Sequence, residues 1–295
     1  MTGHAGVVGH PIGHSRSPQL HTAAYAVLGE QLRYEAVDLD EFELTGYIDR
    51  LRADESWRGL SVTMPLKSEA AELSDELTPL AAAVGVVNTL VPVGDGKVLG
   101  HNTDVAGIVG AVRAAGSLPE RPRVAILGGG GTATAAVAAL RELGADGIDV
   151  WVRSESRAAR TTTAAQQLDV PVHLRPWDQA AEHLAGYNVV IATAPPHGCD
   201  ELAAAFAAVR GRRTRGVLLD AAYDPWPSAI ARAWQAAGGA IAPGLDMLIF
   251  QAVDQIRLFT GIGLDRELPR RREVVAAMCA AVGRPDLSGE HDSER

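Results

Sequence analysis

Val124-Ala125-Ile126-Leu127 runs without a break into Gly128-Gly129-Gly130-Gly131-Thr132-Ala133, and an alanine-rich helical pattern follows. The order of apolar strand, glycine turn and helix fits G-x-G-x-x-A, with Gly128, Gly130 and Ala133 in the three key positions. The first glycine permits a tight turn. The second lets the backbone approach a pyrophosphate, and the small third residue allows close helix–strand packing. The helix N-terminus adds N–H groups without intrahelical acceptors and the positive end of its dipole, which suits phosphates. Gly129, Gly131 and Thr132 complete a loop read as a dinucleotide cradle. A glycine string alone fits a flexible turn equally well; the strand before it and the helix after it favour the cofactor.

The next strand, Ile148–Val152, bears on which dinucleotide. An NAD site places a carboxylate about 20 residues past the glycines, on the ribose 2′-OH. Here the strand runs out through Val150-Trp151-Val152-Arg153-Ser154 with no carboxylate at its tip. Arg153 can face a 2′-phosphate, Ser154 can hydrogen-bond it, and Arg157 can close the clamp one turn on. Glu155 would repel a phosphate, and the two arginines also fit solvated charges at a helix start. NADP is the expected cofactor and NAD the alternative. Further strands at Val172–Leu174, Val189–Thr193 and Val217–Asp220 continue the series. Leu118-Pro119-Glu120-Arg121-Pro122 reads as a break before it.

Upstream, strands are expected at Gly6–Gly9, Tyr34–Leu39 and Gly59–Thr63, each followed by an amphipathic stretch. Ser17–Leu28 reads as a helix with Ser17 as N-cap and Pro18 in the first turn. Val87–Val93 and Lys97–Gly100 bracket Gly94-Asp95-Gly96 as a β-hairpin. From Gly244 onward the pattern is helical, over Leu245–Thr260 and roughly 269–282, and such terminal helices return to a first domain. The expectation is an α/β protein with largely parallel sheet and two domains. An N-terminal α/β substrate domain, residues 1–104, is completed by C-terminal helices in 240–284. A Rossmann-type NADP-binding domain occupies 105–239, leaving a cleft between the two domains, and 285–295 form a loose tail.

The 295 residues are 47% hydrophobic and 21% charged, with a formal net charge of −9. No basic run offers a nucleic-acid surface. No apolar run approaches the roughly 18 residues of a membrane helix. Met1–Ala5 lacks the regions of a signal peptide. Cys199 and Cys279 have no metal-type spacing and read as reduced thiols, so a cytoplasmic protein is expected. The partner is then a small molecule, and the chain a monomer or homodimer.

Of 27 basic residues only Lys67 and Lys97 are lysines. Lysine can give up its proton in a tuned site and arginine cannot. Lys97 sits in the hairpin turn and reads as a surface charge. Lys67 follows a strand, in Ser61-Val62-Thr63-Met64-Pro65-Leu66-Lys67. Other polar residues gather at strand ends: His14-Ser15-Arg16-Ser17, Asn88-Thr89 and Asn102-Thr103-Asp104. Ligands of open α/β sheets bind beyond strand C-termini, so these segments can converge on a polyhydroxylated acid. Asp104 also fits a helix N-cap, a role Thr103 could fill instead. His10, His14 and His21 are read as structural. No Ser-His-Asp arrangement or metal cluster is legible.

These segments, with Gly9-His10-Pro11-Ile12-Gly13-His14-Ser15-Arg16-Ser17-Pro18, Val87-Asn88-Thr89-Leu90 and Gly244-Leu245-Asp246-Met247-Leu248-Ile249-Phe250-Gln251-Ala252, resemble the shikimate dehydrogenase family. The resemblance spans Val7 to about Val282. It implies NADPH-dependent reduction of 3-dehydroshikimate to shikimate, with Lys67 and Asp104 as the catalytic pair. It implies that Ser15 and Ser17 hold the substrate carboxylate and that Thr63, Lys67, Asn88, Asp104 and Gln251 bind the ring oxygens. Tyr223 would line the site near the carboxylate. Thr193 and Ala194 would run along the cofactor, with Gly244 and Met247 near its nicotinamide. Departures from the family pattern are His101, Val105, Val152, Ser154 and Ala194-Pro195-Pro196, several of them on the cofactor side. A quinate or aminoshikimate dehydrogenase, NAD-linked or not, is the neighbouring alternative. A non-catalytic NADP-binding sensor would have no reason to carry Lys67, Asp104, Asn88 and Gln251 together.

Overall fold

A computed structural model describes residues 3–289. The chain divides into two compact units, one of residues 1–103 with 248–295 and one of residues 104–247.

The first unit contains β1 (Gly3–Gly9), α1 (Ser17–Leu28), β2 (Leu32–Asp38), α2 (Glu41–Ala53), β3 (Trp57–Val62), α3 (Lys67–Leu73), β4 (Glu76–Leu77), α4 (Pro79–Val84), β5 (Thr89–Gly94) and β6 (Lys97–His101). Its sheet has the order β2-β1-β3-β5-β6-β4. β1 lies parallel to β2 and β3, but β5 is antiparallel to both β3 and β6. The sheet is therefore mixed rather than parallel throughout, because the Gly94-Asp95-Gly96 turn, with all three residues at positive φ, reverses the chain within two strands. Val8, Leu44, Ile48, Leu60, Leu66 and Leu90 form its core, the aliphatic face of α2 and α3 covering the strands.

The second unit contains α5 (Asp104–Ala115), β7 (Val124–Leu127), α6 (Gly131–Glu142), β8 (Ile148–Val152), α7 (Ala159–Gln167), β9 (Val172–Pro176), α8 (Ala180–His183), β10 (Val189–Ala192), α9 (Asp200–Ala208), β11 (Val217–Asp220), α10 (Ala229–Ala236) and β12 (Ala240–Pro243). All its strands are parallel, in the order β12-β11-β10-β7-β8-β9. Counted within the unit this is 3-2-1-4-5-6, the order of doubly wound dinucleotide-binding sheets, with the switch point between β7 and β10. The central strands β7 and β10 are short and apolar on both faces, as sheets covered on both sides require, whereas β9 at the sheet edge carries His173 and Arg175 and is largely exposed. α11 (Gly244–Phe259) starts in this unit and continues into the first, where α12 (Arg271–Ala281) packs on α1.

Three boundaries differ from the sequence reading. Residues 240–243 were expected with the first domain, but they form β12 and pair with β11. The proline-rich break at 118–122 is not the division, because α5 ahead of it packs on α6, β11 and β12. Within the tail expected from 285, Leu287 is buried, at 7% exposure; residues 290–295 lie outside the described residues. Ser17 is also not the N-cap of α1: Arg16 holds that position and makes no side-chain cap bond, while Ser17 and Pro18 form the first turn. The Ser15 hydroxyl instead accepts from the Ser17 N–H at 3.3 Å.

Candidate active site

In the first sheet the pairings Val8↔Val62, Ser61↔Thr89 and Thr89↔His101 put four chain segments at one edge. They are the residues after β1, after β3, before β5 and after β6. Because β5 is antiparallel, its start lies where its parallel neighbours end. This brings the segments bearing Ser15, Ser17, Thr63, Lys67 and Asn88 together. Backbone bonds lock the edge: Thr63 N–H to Val8 C=O at 2.9 Å, Val62 N–H to Asn88 C=O at 2.8 Å, and Val87 N–H to Lys67 C=O at 2.9 Å. Lys67 is the first residue of α3, so its backbone is held both by a helix and by the segment before β5 that carries Asn88. Lys97, by contrast, is exposed and pairs with Glu76 at 3.2 Å.

Asn88 is 2% exposed and fully engaged. Its Oδ1 accepts from the Thr103 N–H at 2.8 Å and the Thr89 hydroxyl at 2.9 Å. Its Nδ2 donates to Thr103 Oγ1 at 3.0 Å and to Gln251 Oε1 at 2.9 Å. Gln251, on α11, thus meets Asn88 directly. Asp104 follows Thr103 as the first residue of α5, with 1% exposure, inside the helix rather than at a cap position. The Thr103 hydroxyl is turned to Asn88.

Three groups outside the expected set stand behind these residues. Gln255 Nε2 donates to Thr89 Oγ1 at 3.2 Å, and its Oε1 meets Nε2 of buried His21 at 3.3 Å. His21 stacks on Tyr34 with 3.9 Å between ring centroids, and the Tyr34 hydroxyl donates to Ser61 at 2.8 Å and is also bonded to Ser17. Burial pushes the His21 imidazole down to about 3, so it is neutral. A sequence signal existed: Gln255 lies one helical turn past Gln251, and His21 one turn past Ser17, on the same faces. His10 is confirmed as a loop holder. Its Nδ1 meets Asp38 at 2.5 Å, and Asp38 also accepts the Ile12 N–H at 3.1 Å.

In the second sheet, Leu127, Trp151, Ala192, Asp220 and Pro243 stand in register, so the segments after β7, β8, β10, β11 and β12 share one edge. Gly128 has φ +114°, and a Cβ there would sit 2.7 Å from Thr193 Oγ1, which itself donates to Leu127 C=O at 3.0 Å. Only glycine fits that turn. Gly130 caps α6, and a Cβ there would meet nothing within 4 Å, while Ala133 is buried against the strand. An open backbone at a helix N-terminus fits a pyrophosphate. Gly131 and Thr132 open α6 and are half-buried.

Arg153, Ser154 and Arg157 are exposed beyond β8. Arg153 donates to Gly198 C=O at 2.7 Å and lies 5.1 Å from the Trp177 ring centroid. Its fork keeps further N–H groups for a phosphate. Ser154 Oγ meets Ser156 Oγ at 3.1 Å. Ala194 and Thr193 lead from β10, and Tyr223 lies in the loop after β11. That loop is pinned by Asp220, which accepts from Ser228 Oγ at 2.5 Å and from Ala222 N–H at 3.2 Å. Burial raises the Asp220 carboxyl above the usual range. Gly244 begins α11, where a Cβ would stand 2.4 Å from Ala221 C=O, and Met247 is buried one turn on. Among the described residues no group of three or more His, Cys, Asp or Glu could hold a metal ion, and no helix is long and apolar enough to cross a membrane.

Residues 7–90 match the model of the shikimate dehydrogenase substrate binding domain. The shikimate dehydrogenase (NADP(+)) of Rubrobacter xylanophilus is 36% identical over 90% of this chain and 93% of its own length. The chain matches a pentafunctional AROM polypeptide of Lachancea thermotolerans at 35% identity but spans only 17% of that protein. The crystal structure of Mycobacterium tuberculosis shikimate dehydrogenase superposes with a TM-score of 0.80 at 38% identity, over 94% of this chain and 99% of that one. The Thermus thermophilus enzyme in complex with NADP(H) and shikimate gives 0.77 at 29% identity, over 95% and 99%. With a shikimate dehydrogenase 36% identical over 90% of this chain and 93% of its own length, and a solved one superposing over 94% of it, the chain belongs to the shikimate dehydrogenase family.

Proposed function

We propose that this chain catalyses the reversible, NADP-linked reduction of 3-dehydroshikimate to shikimate. The observation that carries the reading is the edge of the first sheet, where hydroxyls, amides and a single ammonium gather in the segments of Ser15, Ser17, Thr63, Lys67 and Asn88, joined by Gln251. That inventory suits a ring acid bearing several hydroxyls and offers one strong cationic donor. Ser15 and Ser17 hold the carboxylate, with Tyr223 near it. Thr63, Asn88, Asp104 and Gln251 hold ring oxygens.

NADPH, when bound, supplies a hydride to the ketone carbon. Lys67 donates to the ketone oxygen as negative charge develops there and delivers the proton that completes the alcohol. Asp104 orients the ammonium and favours its charged form. For the cofactor, Gly128, Gly129, Gly130, Gly131, Thr132 and Ala133 form the pyrophosphate cradle. Arg153, Ser154 and Arg157 take the 2′-phosphate, Thr193 and Ala194 flank the cofactor, and Gly244 and Met247 lie near its nicotinamide. The chain works on small molecules in the cytoplasm, as a monomer or homodimer, without nucleic-acid or membrane partners.

The test is cofactor absorbance with shikimate and quinate, each with NADP and NAD. Shikimate with NADP should give the highest kcat/KM. A preference for quinate with NAD would replace the reading with the sister activity, and binding without turnover would replace it with a sensor. Lys67→Ala should lower kcat by about 10²–10⁴-fold, the usual span for a lost acid–base group, and Lys67→Arg should not restore it. Turnover near wild type in either variant would remove Lys67 from the chemistry.

A further inference from the structure

Trp177 comes to the tip of β8 by sheet register. β8 and β9 run parallel, with Trp151 opposite Arg175 and Val152 opposite Pro176. The next step along both chains sets Arg153 beside Trp177, just past the strand ends. There the Arg153 guanidinium carbon lies 5.1 Å from the centroid of the Trp177 ring, within reach of a cation–π contact. An N–H of the same guanidinium donates to Gly198 C=O at 2.7 Å. Arg153 is exposed, whereas both of its partners are anchored. Trp177 is half-buried against the core that contains Leu127, Trp151 and Ala192. Gly198 sits in a closed turn: its N–H donates to Pro195 C=O at 2.8 Å, and a Cβ there would stand 2.8 Å from the same oxygen. This bracket adjoins the glycine turn. A Cβ at Gly129 would meet Arg157 C=O at 2.6 Å, and one at Gly128 would meet Thr193 Oγ1 at 2.7 Å. The segments after β7, β8 and β10 thus touch one another, all within the second unit.

We infer that Trp177 is a positioning residue that strengthens the preference for NADP over NAD: its ring and the Gly198 carbonyl hold the Arg153 guanidinium in one orientation, with a donor edge left for the 2′-phosphate. An exposed arginine samples many rotamers, and ordering it on a ligand weakens binding. Contacts from two other segments remove much of that freedom before the cofactor arrives. The guanidinium is planar, so one face can lie on the indole while its edges still donate. Trp177 touches neither substrate nor cofactor in this scheme. NAD lacks the 2′-phosphate and gains nothing from an ordered Arg153, so the effect of Trp177 falls on cofactor selectivity and passes through Arg153.

The inference rests on NADP as cofactor and on Arg153 facing its 2′-phosphate. Wild type and Arg153→Ala are the controls for that reading: wild type should favour NADP over NAD in kcat/KM, and Arg153→Ala should lose most of the preference. Failure of either control removes the reading itself, and the inference with it. With both controls met, Trp177→Leu should raise the KM for NADP about three- to tenfold, through loss of the cation–π contact and of the order it imposes. The KM values for NAD and shikimate should move less than about twofold. Trp177→Phe, which still offers an aromatic face, should recover part of the loss. In the Arg153→Ala background, Trp177→Leu should leave the NADP/NAD ratio unchanged. A Trp177 that only supports the fold would raise both cofactor KM values alike. That result overturns the inference, as does an unchanged KM for NADP or an effect of Trp177→Leu that persists without Arg153. Should the Trp177 variants not fold, Arg153→Lys decides, since Arg153 is exposed. Lysine keeps the charge but has neither the planar face nor the fork. Its NADP preference should fall about threefold or more; a wild-type preference in Arg153→Lys refutes the inference.

Discussion

Asn88 is the position where a one-atom change separates stability from recognition. Truncation by Asn88→Ala leaves the buried Thr103 N–H without its 2.8 Å acceptor, a loss of about 1–3 kcal/mol. It also removes the 2.9 Å bond to Gln251, about 1 kcal/mol more. The Thr89 and Thr103 hydroxyls, 3.3 Å apart, can turn to each other and limit the rest. The expected destabilisation is about 2–4 kcal/mol. Asn88→Asp behaves differently. The carboxylate keeps an acceptor for Thr103 N–H and for both hydroxyls, so the fold loses less. But an oxygen now faces Gln251, which must turn its amide to donate inward and present oxygen outward. Shikimate should then bind about tenfold or more weakly, at near-unchanged NADP affinity. Urea unfolding, amide exchange at Thr103 and steady-state KM values measure the two effects. The reasoning is refuted if Asn88→Ala stays within about 0.5 kcal/mol of wild type, the range of an inert surface change. It is also refuted if Asn88→Asp binds shikimate normally.

Three other outcomes are expected. Gly128→Ala forces a side chain into φ +114° and to 2.7 Å from Thr193 Oγ1, costing about 1–3 kcal/mol and raising the KM for NADP; an unchanged KM and melting temperature would contradict the turn's role. Arg153→Ala should weaken NADP by about 10–100-fold, as loss of a charge-assisted bond does, and NAD by little; parallel losses for both would mean that Arg153 only ties Trp177 to Gly198. The His10–Asp38 pair has a pH signature. Asp38 raises the His10 pKa above 6.5, chiefly by hydrogen bonding, so that contribution is whole below 6.5 and fades as pH rises through the raised value. His10 and Ile12 N–H lower the Asp38 pKa below 3.8, so that contribution is present above 3.8 and fades as pH falls through the lowered value. NMR titration of His10 should show the raised midpoint, and Asp38→Asn should return it to about 6.5; an unaltered midpoint would remove the anchor for the loop carrying Ser15.

What could be read from the chain alone was local or periodic. Val124–Ala133 announces strand, turn and helix, because each needs only its own residues: a continuous apolar run, a glycine at positive φ, a small residue for packing. The strands of both halves follow from the same kind of pattern, and the family motifs name Lys67, Asn88 and Gln251. What the sequence left open depends on partners far along the chain. The β12 run, Ala240–Pro243, is too short to claim as a strand until β11 supplies its hydrogen bonds. Arg16 rather than Ser17 heads α1, because the Ser15 hydroxyl binds the Ser17 N–H and Ser17 itself is bonded to Tyr34. His21 reads as one more helix residue until α11 brings Gln255 to it across 234 positions of sequence. Hydrogen-bond direction is a property of closed tertiary chains: residue types say which atoms can donate, and only packing decides which of them must.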